Sequence, residues 1–198
     1  MEVGIVNYGL GNLGSLQNIL KYLGKKPVLI QDPHEIVNFA RVIVPGVGHF
    51  GTGMNLLVSS GFDTAIRNYV QIEGSKLLGI CLGMQILLEY SEEGNTSGLG
   101  LITGKVSKFI SKHTSTNMGW REVKLYKESF FYDCYNGNGR FYFIHSYHIS
   151  DDMVFTTGVS HFGNDFCALY EKDNIIGAQF HPEKSHSYGK IFFQKFCS

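Results

Sequence analysis

The sequence predicts an α/β fold, a mostly parallel central sheet flanked by helices and carrying an antiparallel extension. Short β-branched runs alternate with helical patterns through the first half, and shorter alternating segments take over from about Val106. A hydrophobic content of 43% in 198 residues is enough for one sizeable core. With no linker, repeat or low-complexity tract to divide it, the chain is expected to form a single domain over residues 1–198.

Residues 3–6 read as the first strand. Ser15, Leu16, Ile19, Leu20 and Leu23 then recur at helical spacing, and Gly24 follows where a helix end favours positive φ. Residues 28–30 form a second strand. Asp32 before Pro33 fits an N-cap with proline at the first helical position, opening a short helix before a third strand at Arg41–Val44. Residues 62–70 read as the next helix, Lys76–Ile80 as a buried strand, and residues 82–90 as a helix with Leu82, Gln85, Ile86 and Glu89 at helical intervals. The antiparallel part comprises strands at residues 106–110, 122–126, 140–149, 154–159, 166–170 and 175–180, with a hairpin turn at Lys172, Asp173 and Asn174. Residues 188–196 close the chain as a helix. Periodicity leaves the strand order open.

Composition excludes several classes of function. Lys plus Arg is 17 and Asp plus Glu is 17, so no basic surplus exists to neutralise a phosphate backbone, and nucleic acid is not an expected partner. The start lacks the basic region and long apolar run of a signal peptide, and no later run approaches a membrane span. Cys81, Cys134, Cys167 and Cys197 lie far apart with no C-x-x-C pair, which fits reduced thiols in the cytoplasm. A thiol is thereby free for chemistry.

Gly9, Gly11 and Gly14 spell G-x-G-x-x-G between a strand and a helix, and Asp32 follows the second strand where a ribose-binding acid would sit. Dinucleotide binding is one reading. The other is a glycine set used for tight turning, which is common in α/β folds. Failure to bind NAD or NADH separates the two.

A stronger signal is Gly79-Ile80-Cys81-Leu82-Gly83, a G-x-C-x-G between a buried strand and a helix, the thiol counterpart of the serine nucleophile elbow. The glycines permit a sharp turn that projects the sulfur above the sheet edge, where the following helix start favours thiolate. The Leu82 N–H would point the same way and, with a second donor from Pro45-Gly46-Val47-Gly48 (Val47 or Gly48), could hold an oxyanion; such donors lower a barrier by roughly 3 kcal/mol each. An ordinary buried cysteine is the bland alternative. In His181-Pro182-Glu183, residues two apart in an extended segment share a face, so Glu183 can bond one ring nitrogen of His181 while the other faces the thiol. His145 and His148, three apart on one strand, face opposite ways and make a poor metal pair; no metal or other cofactor is expected.

The segments Pro45-Gly46-Val47-Gly48, Gly79-Ile80-Cys81-Leu82-Gly83-Met84-Gln85 and Phe180-His181-Pro182-Glu183-Lys184-Ser185 together resemble class I, triad-type glutamine amidotransferases, whose fold is flavodoxin-like. Within that class the chain is similar to the HisH type, the glutaminase subunit of imidazole glycerol phosphate synthase. Asn7-Tyr8-Gly9-Leu10-Gly11-Asn12-Leu13, Met118-Gly119-Trp120 and His145-Ser146-Tyr147 extend the likeness over nearly the whole length.

The resemblance implies that Cys81 attacks the glutamine amide carbon, that His181 protonates the departing ammonia and later activates water, and that Glu183 holds the imidazole. It also implies glutamine binding by Gln85 and Glu93, with backbone around His145 and Ser146 taking the carboxylate. A (β/α)8-barrel cyclase subunit of the HisF type would receive the ammonia in a heterodimer, with Met118, Trp120 and Lys184 toward it. The sequence departs from the family pattern in having Thr116-Asn117 before Met-Gly-Trp, Arg121 after it, and His186 and Tyr188 beyond the triad. These departures are expected at the docking surface, so a synthase for nitrogen-containing surface sugars stays open as the ammonia acceptor. A stand-alone cysteine hydrolase and a non-enzymatic binding subunit are the remaining alternatives. The glycine-rich loop near Val47 suggests low activity alone and stimulation by a partner.

Overall fold

A computed structural model describes residues 1–109 and 116–198. Strands β1 (Glu2–Val6), β2 (Lys26–Ile30), β3 (Arg41–Val44) and β4 (Lys76–Ile80) are parallel, and β13 (Ile175–Ala178) joins them beside β4. Strands β8 (Asn117–Leu125), β9 (Asn138–His145), β11 (Thr156–Phe162) and β12 (Asn164–Lys172) continue the sheet antiparallel, giving the order β2-β1-β3-β4-β13-β12-β11-β8-β9. A smaller sheet, β10-β7-β5-β6, is built from β5 (Leu88–Ser91), β6 (Thr96–Ser97), β7 (Ile102–Lys108) and β10 (Tyr147–Ile149). The expected α/β architecture is therefore present.

After a charged first residue (Glu2, Lys26, Arg41 and Lys76) strands β1 to β4 are apolar, because both faces of the sheet are covered. Alternation sends Val42, Val44 and Leu77 to one side, against helices α2 (Phe50–Ser60) and α3 (Phe62–Tyr69). Ile43 and Leu78 go to the other, against α1 (Leu13–Tyr22) and α6 (His186–Phe196), which supply Leu16, Leu20, Phe192, Phe193 and Phe196. Asp32 accepts from the His34 N–H and caps a short 3-10 turn, Pro33–Asn38. Gly9 and Gly11 take positive φ, and a Cβ on Gly11 would lie 2.8 Å from Pro45 Cβ. Gly11 thus serves a turn packed on the Pro45 loop, while Gly14 lies in α1 with open space around it.

Several expectations need correction, the first being that the strand expected at residues 175–180 ends at Ala178 and runs parallel to β4. The helix after Cys81 stops after five residues, as α4 (Leu82–Ile86), and Glu89 lies on β5. The carbonyls of Ile86, Leu87, Leu88 and Glu89 accept N–H groups of residues 98–102 instead of continuing a helix, so tertiary pairing overrides a periodicity that fits either state. The strand expected over residues 140–149 is two strands in different sheets, broken at Ser146, whose carbonyl accepts the Phe109 N–H. The strand expected at 106–110 starts earlier, at Ile102, and pairs parallel with β5; its last residue, Ile110, lies outside the described residues. Helix α2 was not expected, because Gly51, Gly53, Ser59 and Ser60 are weak helix formers. Its N-terminus is held from outside, by the Glu93 carboxylate accepting the Phe50 N–H at 2.8 Å. α5 (Tyr132–Tyr135) is a further short helix. Among the described residues no helix is long and apolar enough to cross a membrane.

Candidate active site

Cys81 follows β4 with φ 53° and ψ −109°, a conformation that costs a side-chain-bearing residue of order 1–3 kcal/mol. Flanking glycines make it possible. A Cβ on Gly79 would lie 2.8 Å from Met84 N and Cα, and one on Gly83 would overlap the Val44 carbonyl. The Cys81 N–H is held by the Ala178 carbonyl at 2.8 Å, so the elbow is pinned to β13, the strand that leads to His181.

His181 and Glu183 meet, but through a 3-10 turn over Pro182–Lys184 and not on the extended segment expected. Their side chains are 1% and 2% exposed, and Nδ1 of His181 lies 2.8 Å from Oε1 of Glu183. Pro182 opens a short 3-10 turn that carries Glu183 back beneath the ring. Buried Ser185 fixes this strap, accepting the Tyr142 N–H at 3.0 Å and donating to the His181 carbonyl at 2.6 Å, while the His181 N–H donates to the Tyr142 carbonyl at 2.8 Å. Burial opposes a charged imidazole, but Cys81 first and Glu183 second outweigh it and push His181 up to about 10. Nε2 is buried without a hydrogen-bond partner among the described residues, although Cys81 is the largest of the influences that raise the ring. A nucleophile–base bond that is not yet formed is common before substrate arrives.

Cys81 opens onto a cavity of about 440 Å³, within the range of small-molecule sites, lined also by Val47, Gly48, Leu82, Gln85, Glu93, His145, Ser146 and Lys184. The Val47 loop is anchored where the Tyr8 hydroxyl donates to the Pro45 carbonyl at 2.7 Å, and Gly46 sits so close to the elbow that a Cβ would meet Gly83 N at 2.8 Å. Helix α4 is only five residues long, so its dipole is small, and the N–H groups of its first turn, that of Leu82 among them, have no intrahelical acceptor. Gln85 is buried and donates from Nε2 to the Tyr147 carbonyl (3.0 Å) and to Gln179 Oε1 (2.9 Å). Glu93 is not on a helix; it follows β5, and capping α2 uses only its Oε2.

His145 lines the cavity and is buried. Burial pushes it down to about 3, so it is neutral; Nδ1 lies 2.7 Å from the Tyr147 carbonyl and Nε2 lies 3.0 Å from Asn117 Nδ2. The Ser146 hydroxyl pairs with that of Thr116 at 2.8 Å. His148 is on a different strand from His145, and both rings pack on Phe109. Asn117 was expected at a docking surface but is fully buried, with Arg121 Nε donating to its Oδ1 at 2.8 Å. Two of the departures from the family pattern therefore brace His145. Met118 is 58% exposed, Trp120 is half-buried and stacked on His186, and Lys184 Nζ stands 6.0 Å from the Tyr142 ring centre, so these three share an open face. Gln179, Ser185 and the Tyr147 carbonyl were missed; a glutamine inside the uniformly buried run at residues 175–180 was the available signal for the first.

Residues 5–198 match the family described as glutamine amidotransferase class-I. The imidazole glycerol phosphate synthase subunit HisH of Leptospira borgpetersenii is 39% identical over 202 residues, covering 99% of each chain. Subunit HisH 2 of Methanococcus maripaludis is 40% identical over 197 residues, covering 98% of each. Among solved structures, a glutamine amidotransferase superposes with a TM-score of 0.76 at 18% identity over 98% of this chain and 96% of that one. PurLQS from Thermotoga maritima does so at 0.73 and 20% identity over 99% and 97%; these two likenesses speak for the fold. With an elbow cysteine opening onto a cavity, a buried His–Glu pair acting on it, and HisH relatives along its whole length, the chain belongs to the HisH family of class I glutamine amidotransferases.

Proposed function

We propose that the site releases ammonia from the side-chain amide of glutamine, with Cys81 as nucleophile, His181 as proton carrier and Glu183 as its orienter. The supporting observation is a cysteine held in a strained turn at the cavity wall, with His181, paired to the buried Glu183 carboxylate, close enough behind it for Cys81 to be the largest influence that raises the ring. The sulfur attacks the amide carbon, and the oxyanion forms against the N–H groups of Leu82 and of Val47 or Gly48. As the carbon–nitrogen bond breaks, His181 gives its proton to the departing nitrogen. Neutral His181 then takes a proton from water, whose oxygen attacks the glutamyl thioester, and glutamate leaves as the thiolate re-forms. Gln85, the uncapped Oε1 of Glu93 and the backbone at His145 and Ser146 suit the amide, amino and carboxylate ends of glutamine.

The chain acts as the glutaminase subunit in histidine biosynthesis, and its ammonia passes to a cyclase subunit, for which a HisF-type (β/α)8 barrel is our reading. Met118, Trp120 and Lys184 form the face proposed to meet it, with aromatic and cationic side chains suited to an anchor. Ammonia release from glutamine should be slow for the chain alone and rise at least tenfold when the purified cyclase is added. Equal rates with and without the cyclase, or stimulation only by a sugar-modifying synthase, would redirect the assignment.

The pH dependence has a definite sign. Because His181 is lifted to about 10, the imidazolium persists through neutral pH and is lost as pH climbs through that value, taking the proton needed by the leaving nitrogen with it. Glu183→Gln keeps an acceptor for Nδ1 but removes a negative charge from the ring. The alkaline limb of kcat/KM should then move to lower pH by about one unit or more. An unmoved limb would mean that Glu183 only fills space.

A further inference from the structure

Gln179 follows β13, is fully buried, and is not among the residues assigned above to substrate or oxyanion. Its amide lies between two groups of the site: Oε1 accepts from Gln85 Nε2 at 2.9 Å, and Nε2 donates to the sulfur of Cys81 at 3.8 Å, within reach for a large acceptor atom. An amide could face either way, so the orientation needs a cause. The Tyr147 carbonyl provides one, because a carbonyl can only accept. It takes the Gln85 amide at 3.0 Å and is held on its other side by His145 Nδ1 at 2.7 Å, the neutral ring being the donor. Gln85 must therefore present Nε2 inward. Gln179 must answer with Oε1, which leaves its NH2 for the sulfur.

We propose that Gln179 is a positioning residue of the nucleophile, the last link of a polar chain that starts at the Tyr147 carbonyl and ends in a hydrogen bond donated to Cys81. The proposal rests on the glutaminase reading and names how that site holds its sulfur. The opposite neighbour sharpens the role. The carbonyl of Ile144 stands 3.8 Å from the same sulfur and can only receive the S–H, so it favours the protonated thiol. The Gln179 amide favours the thiolate, since a donor aimed at the charged form stabilises it. The same link restrains Gln85, which lines the cavity; cutting it frees the Gln85 side chain as well.

The test uses Gln179→Met, which keeps the volume without the amide, and Gln179→Asn, which keeps an amide too short to span both partners. Alkylation of Cys81 by iodoacetamide is followed against pH in the full chain by peptide-resolved mass spectrometry, so that Cys134, Cys167 and Cys197 do not contribute. The pH of half-maximal alkylation should rise by about one unit in both variants. KM for glutamine should rise several-fold in Gln179→Met as Gln85 loosens. A wild-type alkylation profile in whichever variant folds like wild type overturns the proposal. Failure of the glutaminase reading looks different: the wild-type complex releases no ammonia from glutamine, whatever the alkylation profile does.

Discussion

Cys81→Ala should lower glutamine hydrolysis by about 10⁴-fold or more, since the nucleophile cannot be replaced by binding and oxyanion contacts alone. Cys81→Gly should be equally inactive yet more stable than the alanine variant. The reason is the backbone: alanine retains a Cβ at φ 53° and ψ −109°, whereas glycine is free of it. Relieving strain of order 1–3 kcal/mol should raise the melting temperature of Cys81→Gly above that of Cys81→Ala by about 2–10 °C. The side chain of Cys81 is small and 6% exposed, so its packing loss is nearly common to both variants and cancels. Thermal melts of the two proteins, read beside an ammonia assay, check both halves. If the alanine variant were the more stable, the turn would hold no strain and the geometric case for a built nucleophile would weaken.

That strain also explains why the site was legible early. G-x-C-x-G and His-Pro-Glu are local patterns, each dictated by what a sharp turn or a two-residue strap permits, so Cys81, His181 and Glu183 could be named from short segments. The parallel strands were legible for a similar reason: residues 42–44 and 77–80 are buried on both faces, and they read so. Where partners come from afar, legibility ended. Helix α4 and strand β5 are separated only by the N–H groups of residues 98–102 reaching the carbonyls of residues 86–89. Nothing between Leu82 and Tyr90 announces them. Glu93 could be tied to the site only through family likeness, because its position depends on the N-terminus of α2, a helix whose glycines hid it. Asn117 looked like a surface departure until the register of β8 on β9 set it opposite His145.

Gly83→Ala should be severely damaging for a single methyl, costing about 3 kcal/mol or more and lowering hydrolysis by about 10²-fold in any protein that still folds. Its Cβ would overlap the Val44 carbonyl and stand 3.3 Å from the Pro45 carbonyl carbon, and neither atom can swing aside as a side chain can. The obstruction lies between the nucleophile elbow and the loop carrying Val47 and Gly48. Relief requires moving α4 away from β3, which separates the two groups of N–H donors proposed to share one oxyanion. A matched control comes from Gly14→Ala in α1. There a Cβ meets nothing within 4 Å on an exposed helical position, so the same methyl should stabilise by about 0.5–1 kcal/mol and leave hydrolysis unchanged. Urea unfolding of both variants measures the opposite signs. Equal stability for Gly83→Ala and wild type would show that elbow and loop are not in backbone contact, and the shared oxyanion site would lose its structural support.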